Sequence, residues 1–172
     1  DWCYARPSGE LVVGDAWIGG MLYHFSEDGI LRNGACEENG TCYVYDEDGT
    51  KLGEITHDGW SLIDGNYYYL ENGVVMRDRA YKLPDGKWYV FEKNGRMLSS
   101  VRSGKRWLSE NGDALTGWIN RAGAWYYADP DTAEACMGFQ SINGAEYYFK
   151  LDGSMLVGES VVNGKLVMTD DS

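Results

Sequence analysis

The chain has 172 residues and a net charge of −12, with 7 Trp and 13 Tyr. So acidic a surface repels nucleic acid and anionic membranes, and we expect neither as a partner. The abundant aromatic residues exclude a disordered chain. No apolar run reaches the length of a transmembrane span, so we expect no membrane insertion.

Glycines recur along the chain at intervals of about twenty residues. The glycine that precedes each aromatic segment is, in chain order, Gly20, Gly40, Gly65, Gly86, Gly104, Gly123, Gly144 and Gly164. In most copies a second glycine follows eight or nine residues later, and a third closes many of them. A fixed period of this kind predicts an array of repeated supersecondary units.

Residues typical of β-strands follow these glycines, as at 41–45, 66–70, 87–91 and 146–149. The stretch 117–127 is the clearest copy, in which Trp118 and Trp125 are seven residues apart on either side of a turn at Gly123. A hairpin would bring their rings close together. Such a hairpin is marginal alone, so we expect each to stack on its neighbours.

The predicted fold is all-β, a solenoid of β-hairpins in a single repeat array. We assign a partial repeat at 1–14, repeats at about 15–34, 35–53, 54–78, 79–100, 101–117, 118–138 and 139–158, and a partial repeat at 159–172. An extra loop or degenerate turn is expected at 54–59 and at 129–135. Because the chain begins within the pattern at Trp2, we expect a fragment of a longer exported protein.

The stretch 117–127 resembles the repeats of choline-binding modules and the related glucan-binding and cell-wall-binding repeats of Gram-positive surface proteins. The segments 147–158 and 43–53 are also similar to the C-terminal repeats of large clostridial toxins. This resemblance implies a superhelix of hairpins with ligand sites between consecutive hairpins, and no catalysis within the module. Only one repeat of this chain has both tryptophans.

Aromatic faces hold a quaternary ammonium through the ring quadrupole, and the same faces can stack on a sugar. The first candidate cage is formed by Trp118 and Trp125, closed by Tyr148 of the next hairpin. The alternative is that these rings belong only to the core.

A second candidate cage combines Trp60 and Tyr67, again seven residues apart, with Trp88 of the following repeat. Trp2, Trp17 and Trp107 lack partners at this spacing. We interpret these three as packing residues.

The four cysteines are Cys3, Cys36, Cys42 and Cys136. Cys36 and Cys42 lie symmetrically about 38–40, so a cross-strand disulfide is a candidate, with buried free thiols as the alternative. Cys3 and Cys136 are about six repeats apart, too far to bridge within one solenoid.

No motif for catalysis, a metal or a cofactor is found in the sequence. The acidic segment beginning at Asp46 has His57 at its twelfth position, where a calcium loop needs a bidentate Glu. His24 and His57 lack the context of a zinc site.

The sequence therefore predicts a non-catalytic binding module of a secreted or surface-attached bacterial protein. Its partner would be choline or phosphocholine of teichoic acid, or a glucan or host glycan. The alternatives are a structural spacer or protein-interaction stalk, or a toxin-like domain that binds host glycans.

Overall fold

The computed structural model describes the backbone of residues 2–162 and 165–169, and the side chains of residues 2–158 and 162. All regular structure in this part of the chain is β-strand, which confirms the predicted fold class. Within the described residues there is no apolar helix of membrane-spanning length. Gly164 and residues 1, 163 and 170–172, which belong to the predicted partial repeats, lie outside the described residues.

The described residues form eighteen short strands. They are β1 Gly14–Ile18, β2 Met21–Phe25, β3 Gly34–Glu38, β4 Thr41–Tyr45, β5 Lys51–Ile55, β6 Gly59–Ile63, β7 Asn66–Glu71, β8 Val74–Val75, β9 Ala80–Lys82, β10 Trp88–Val90, β11 Arg102–Ser103, β12 Arg106–Trp107, β13 Gly117–Arg121, β14 Ala124–Ala128, β15 Gly138–Ile142, β16 Ala145–Phe149, β17 Gly158–Val162 and β18 Lys165–Thr169.

The strands are distributed over two compact units. The first unit comprises residues 1–81 and 90–98, and the second comprises 82–89 and 99–172. The first contains the hairpin β1-β2 and two three-stranded sheets, β3-β4-β5 and β6-β7-β8. The second contains the hairpins β11-β12, β13-β14, β15-β16 and β17-β18. Strands β9 and β10 contribute residues to both units.

Within the described residues, two-residue turns with a left-handed backbone at both residues join six pairs of strands. The turn residues are Gly19-Gly20, Asn39-Gly40, Asp64-Gly65, Asn72-Gly73, Ala122-Gly123 and Asn143-Gly144. This is the type I′ turn, whose twist matches that of the flanking strands and which favours Asn, Asp and Gly. Ala122 is the exception, because its φ of 51° places a Cβ in a region that alanine disfavours.

One backbone hydrogen bond recurs between neighbouring repeats. The segment that follows a hairpin forms a bridge to the last residue of its own second strand, as Met155 does with Phe149. The same segment donates an N–H to the second strand of the preceding hairpin or, at Lys105, to the residue directly before that strand. The donor and acceptor pairs are Met97 to Tyr67, Ala114 to Trp88, Ala135 to Lys105 and Met155 to Trp125, at 2.6–2.8 Å. Each connecting segment therefore ties two successive hairpins together.

The core lies where the second strand of each hairpin ends. The residues at this position are at most 6% exposed, and they are Phe25, Tyr45, Leu70, Phe91, Leu108, Ala128 and Phe149. In the first unit, Ala35, Val44 and Val75 extend this core across the two three-stranded sheets. A single hairpin covers only one side of such a residue, so stacking supplies the remainder of its burial.

The two irregular segments differ from each other. At 54–59 the expected loop is shorter than predicted, because residues 54 and 55 belong to β5 and pair with β4. At 129–135 the expected turn is confirmed, since the Asp129 carboxylate accepts hydrogen bonds from the backbone N–H groups of Asp131 and Thr132.

The disulfide candidate is wrong, and the register of β3 and β4 explains why. Cys36 pairs with Tyr43, whereas Cys42 pairs with Glu37, so the two cysteines lie on opposite faces of the sheet. The turn is centred between Asn39 and Gly40, half a residue from the assumed centre. All four cysteines are free thiols, and burial raises the pKa of Cys42 to about 11.

Candidate functional site

Five aromatic rings meet between the hairpins β13-β14 and β15-β16, and we name them the Trp118 cluster. Its members are Trp118, Trp125, Tyr127, Tyr147 and Phe149. The Trp118 ring centroid lies 6.2 Å from Trp125, 5.2 Å from Tyr127, 4.8 Å from Tyr147 and 6.0 Å from Phe149. The first three of these pairs are nearly perpendicular, with interplanar angles of 70–88°.

The strand register places the first three members on one face of their hairpin. Trp118 lies directly opposite Tyr127, and Trp125 is two residues before Tyr127 on the same strand. Residues two apart on a strand share a face, so both rings of β14 face the same side as Trp118. The two tryptophans were predicted from the sequence, whereas Tyr127, whose place opposite Trp118 follows from a two-residue turn, was not predicted as a site residue.

The predicted third ring of this site was Tyr148, and the structure corrects it to Tyr147. Tyr148 packs against its own strand partner Phe139, with ring centroids 4.9 Å apart. Side chains alternate between the faces of a strand, so Tyr147 and Phe149 share the face opposite that of Tyr148. One hairpin meets the next through opposite faces, and this alternation could have revealed Tyr147 and Phe149 from the sequence.

The Trp118 cluster is accessible at its tryptophans. Trp118 is 38% exposed and Trp125 is 36% exposed, whereas Phe149, which contacts Trp118, is fully buried. The site therefore has an apolar floor and two indole rings that are open to solvent. Perpendicular rings of this kind form a corner that a compact cation can touch on more than one side.

An equivalent arrangement exists in the first unit, which we name the Trp60 cluster. The Trp60 centroid lies 6.2 Å from Tyr67, 5.0 Å from Tyr69 and 5.9 Å from Phe91. Trp60 is opposite Tyr69 in the register of β6 and β7, as Trp118 is opposite Tyr127. The predicted pair of Trp60 and Tyr67 is thus brought together.

Trp88, predicted as the third ring beside Trp60, has other partners. Its indole Nε1 donates to the backbone oxygen of Asp131 at 2.8 Å, and the guanidinium of Arg106 lies 4.8 Å from its ring centroid. Within the first unit the third ring at Trp60 is Phe91, which stacks with an interplanar angle of 29°. Trp88 and Phe91 are three residues apart, so the alternation of side chains places them on opposite faces of the strand.

The first hairpin has a polar pair at the position where the hairpins of the Trp118 and Trp60 clusters have two rings. Asp15 is opposite His24, in the register position of Trp118 and Tyr127. His24 Nδ1 lies 2.6 Å from Asp15 Oδ1, and the His24 ring is 5.1 Å from that of Tyr45. The contact between the first hairpin and the next therefore lacks the indole ring that the Trp118 and Trp60 clusters share.

Two of the tryptophans interpreted as packing residues are instead exposed. Trp2 is 78% exposed and Trp17 is 73% exposed. Trp17 occupies the register position of Asn120, which is also exposed, beside the turn of its hairpin. Trp107 does pack, with its ring 5.2 Å from that of Tyr126.

The acidic turns serve the backbone. Asp46 Oδ1 accepts hydrogen bonds from the N–H groups of Asp48 and Thr50 at 3.0 and 2.7 Å. Among the residues that the structure describes, no group of three or more His, Cys, Asp or Glu side chains is arranged to hold a metal ion.

Comparison with known proteins places these hairpins among known repeats. A family model described as "Putative cell wall binding repeat" matches residues 116–131 and 137–155, the two hairpins that build the Trp118 cluster. Glucosyltransferase-S of Streptococcus mutans serotype c is 25% identical over 168 residues, which cover 81% of this chain and 11% of that protein. The chain spans about a tenth or less of the length of the curated relatives it matches.

Solved structures share the fold. CbpJ of Streptococcus pneumoniae TIGR4 superposes with a TM-score of 0.58 at 24% identity, covering 99% of this chain and 68% of that one. Choline binding protein F of Streptococcus pneumoniae, determined with a peptidoglycan analogue, gives a TM-score of 0.55 at 24% identity over 90% of this chain and 55% of that one. Residues 116–131 and 137–155 therefore match cell-wall-binding repeats, the described chain shares the fold of consecutive β-hairpins with these structures, and its sequence is similar to part of the streptococcal glucosyltransferases.

Proposed function

We propose that this chain is the non-catalytic binding module of an exported bacterial protein, which it attaches to a cell surface by holding choline at the Trp118 cluster. The Trp60 cluster is a second site of the same kind. The single observation that carries this proposal is the geometry of Trp118 and Trp125, whose perpendicular rings remain more than a third exposed above a buried floor.

A trimethylammonium group suits this geometry for two reasons. It makes no conventional hydrogen bond, and the Trp118 cluster presents ring faces and edges to it. It is compact, so it can touch Trp118 and Trp125 together. The net charge of −12 adds a weak, salt-sensitive attraction for a cation.

A glucan is the second candidate ligand, and the similarity to a glucosyltransferase over 81% of the chain favours it. A sugar ring would stack on one exposed indole face. Its hydroxyl groups would need hydrogen-bond partners beside the ring, such as Asn120, which is opposite Trp125 in the register. The two ligands therefore differ in which neighbouring side chains they require.

The proposal assigns no chemistry to the module itself. The curated relatives are far longer than this chain, and the matched part is a small fraction of each. Any catalytic activity of the whole protein would belong to another part of it.

Isothermal titration with choline tests the proposal, with Tyr147→Ala and Tyr148→Ala as a matched pair. The two residues are neighbours in β16 but lie on opposite faces, and only Tyr147 touches Trp118. Loss of one aromatic wall should weaken binding by about 0.5–2 kcal/mol, which is a several-fold to thirtyfold loss of affinity. Tyr148→Ala should leave choline affinity at this site unchanged.

Parallel titrations with isomalto-oligosaccharides distinguish the ligands. Choline binding that Tyr147→Ala weakens supports the proposal. Binding of the isomalto-oligosaccharide without binding of choline would indicate that the site holds a glucan. A folded Tyr147→Ala variant that binds both ligands as the parent does would show that the Trp118 cluster is not the site.

A further inference from the structure

Arg102 occupies, one hairpin earlier, the position that Trp118 has in its own hairpin. In the register of β11 and β12, Arg102 is opposite Trp107. In that of β13 and β14, Trp118 is opposite Tyr127. Trp107 and Tyr127 each directly precede the residue that bridges to the following segment, Leu108 to Ala114 and Ala128 to Ala135. Counted from this end, the two positions are equivalent in hairpins of different length, and a guanidinium replaces an indole ring.

The guanidinium also meets the equivalent rings. Its Cζ lies 5.0 Å from the ring centroid of Trp107 and 5.7 Å from that of Tyr126 on the following hairpin. Trp118 likewise contacts the ring opposite it, Tyr127, and two rings of the following hairpin, Tyr147 and Phe149. Arg102 thus takes the place of the indole within an otherwise similar aromatic cluster.

Arg102 is held in this place by two backbone oxygens. Its Nη2 donates to the carbonyl of Asp152 at 2.8 Å, and its Nε donates to that of Gly104 at 3.2 Å. The bond to Asp152 links the hairpin of Arg102 to the turn after β16, whereas the bond to Gly104 lies within its own hairpin. A planar guanidinium anchored at two points loses little further freedom when it covers a ring.

We propose that Arg102 is an internal cation that covers the ring faces of Trp107 and Tyr126 and thereby closes this cluster to an external quaternary ammonium. The residue at this one position of the repeat then decides whether an inter-hairpin cluster binds ligand. An indole opens the cluster, and an arginine fills it. This inference rests on the proposed function, since it concerns the number of choline sites.

A second arginine covers an aromatic ring in the same way, at Trp88. Trp88 corresponds to Trp125, because the backbone oxygens of both accept the recurring bond between repeats. Arg106 lies 4.8 Å from the Trp88 centroid, and its Nη2 is 3.1 Å from a carboxylate oxygen of Glu134. In the part of the chain that the structure describes, no Lys or Arg covers Trp118 or Trp125.

Two cations cannot share one ring face. A trimethylammonium group brought to Trp107 would displace the guanidinium or lie beside a like charge, which repels it more strongly where water is partly excluded. Displacement would also break the bonds to Asp152 and Gly104. The guanidinium of Arg102 is also covalently attached to the chain, so covering the ring is an intramolecular event, whereas choline must bind from solution.

Reciprocal substitutions test the inference by calorimetric titration with choline. Arg102→Trp should bind one equivalent more than the parent, because it supplies an indole in place of the cation. Trp118→Arg should bind one equivalent fewer. Both variants must unfold cooperatively in urea, as a folded parent does.

A folded Arg102→Trp variant with the stoichiometry of the parent would overturn the inference. If this variant does not fold, Arg102→Gln decides, since it removes the charge with a smaller change of shape. The indole N–H signal of Trp107, followed by NMR, should then shift on addition of choline in Arg102→Gln and not in the parent. Absence of that shift in Arg102→Gln would overturn the inference equally.

The outcomes also separate this inference from the proposed function. A parent that binds no choline contradicts the proposed function alone. A gain of binding in Arg102→Trp or Arg102→Gln would still support the role of Arg102, and its absence would refute that role.

Discussion

Trp118→Ala should destabilise the protein more than Trp125→Ala, although the two tryptophans belong to one hairpin and are almost equally exposed, at 38% and 36%. A tryptophan side chain has roughly 200 Å² to bury. Burying about three-fifths of it contributes about 3 kcal/mol in either case, at roughly 25 cal/mol per Å². The loss of buried apolar area is therefore nearly the same in the two variants and does not distinguish them.

The difference comes from ring contacts. Both substitutions remove the contact between Trp118 and Trp125, but only Trp118→Ala also removes those to Tyr127, Tyr147 and Phe149. Aromatic pairs contribute about 0.5–1.5 kcal/mol each beyond their burial. Three further pairs make Trp118→Ala more destabilising than Trp125→Ala by at least about 1.5 kcal/mol.

Urea denaturation followed by circular dichroism measures this difference, since the midpoint and slope of the transition give the free energy of unfolding whatever the absolute signal of each variant. Trp17→Ala is the control, because a residue that is 73% exposed should lose only about 1 kcal/mol by the same area argument. Equal destabilisation by Trp118→Ala and Trp125→Ala, or the reverse order, would refute the assignment of Trp118 as the centre of the cluster.

Three further outcomes are expected. Ala122→Asn should raise the free energy of unfolding by about 0.5–1 kcal/mol, because it relieves a left-handed alanine in a type I′ turn; a thermal melt no higher than that of the parent would contradict this. Buried Cys42, with its pKa raised to about 11, should react with iodoacetamide at pH 8 at least about a hundredfold more slowly than exposed Cys3, as peptide mass analysis would show. A hydrogen bond from Ser109, aided by Lys87, lowers the pKa of Asp113, so this carboxylate stabilises the fold fully above its unfolded pKa, near pH 4, and the contribution is lost as the pH falls through the lower folded pKa. The stability difference between the parent and Asp113→Asn should accordingly be constant above about pH 5 and shrink below it, and a pH-independent difference would be the contrary result.

The hairpin array could be predicted from the sequence because its determinants are local. A glycine in a left-handed turn and an alternating aromatic strand each specify their own structure, and their repetition specifies the stacking. The pairing of Trp118 with Trp125 followed from the same local rule. So did the turn at 129–135, although the loop at 54–59 began later than predicted because β5 continues to Ile55.

The incorrect predictions arose where a shift of one residue along a strand changes the face on which a side chain lies. Tyr147 and Tyr148 are adjacent, and so are Cys36 and Glu37, yet each pair is divided between opposite sides of a strand. Once one hairpin face is assigned, the rule that consecutive hairpins meet through opposite faces gives the next, but a single hairpin carries no local signal for that first assignment. Partners from another repeat, such as Arg106 over Trp88, depend on that choice and became visible only in the structure.

The most direct test of the account follows the indole N–H signals of all seven tryptophans by NMR during a choline titration. The signals of Trp118 and Trp125 should shift together along one saturable curve. Trp2 and Trp17, at 78% and 73% exposure, should remain unchanged although solvent reaches them far more easily. Shifts confined to the two exposed tryptophans, or no saturable shift at Trp118 and Trp125, would contradict the claim that this module binds its ligand between hairpins.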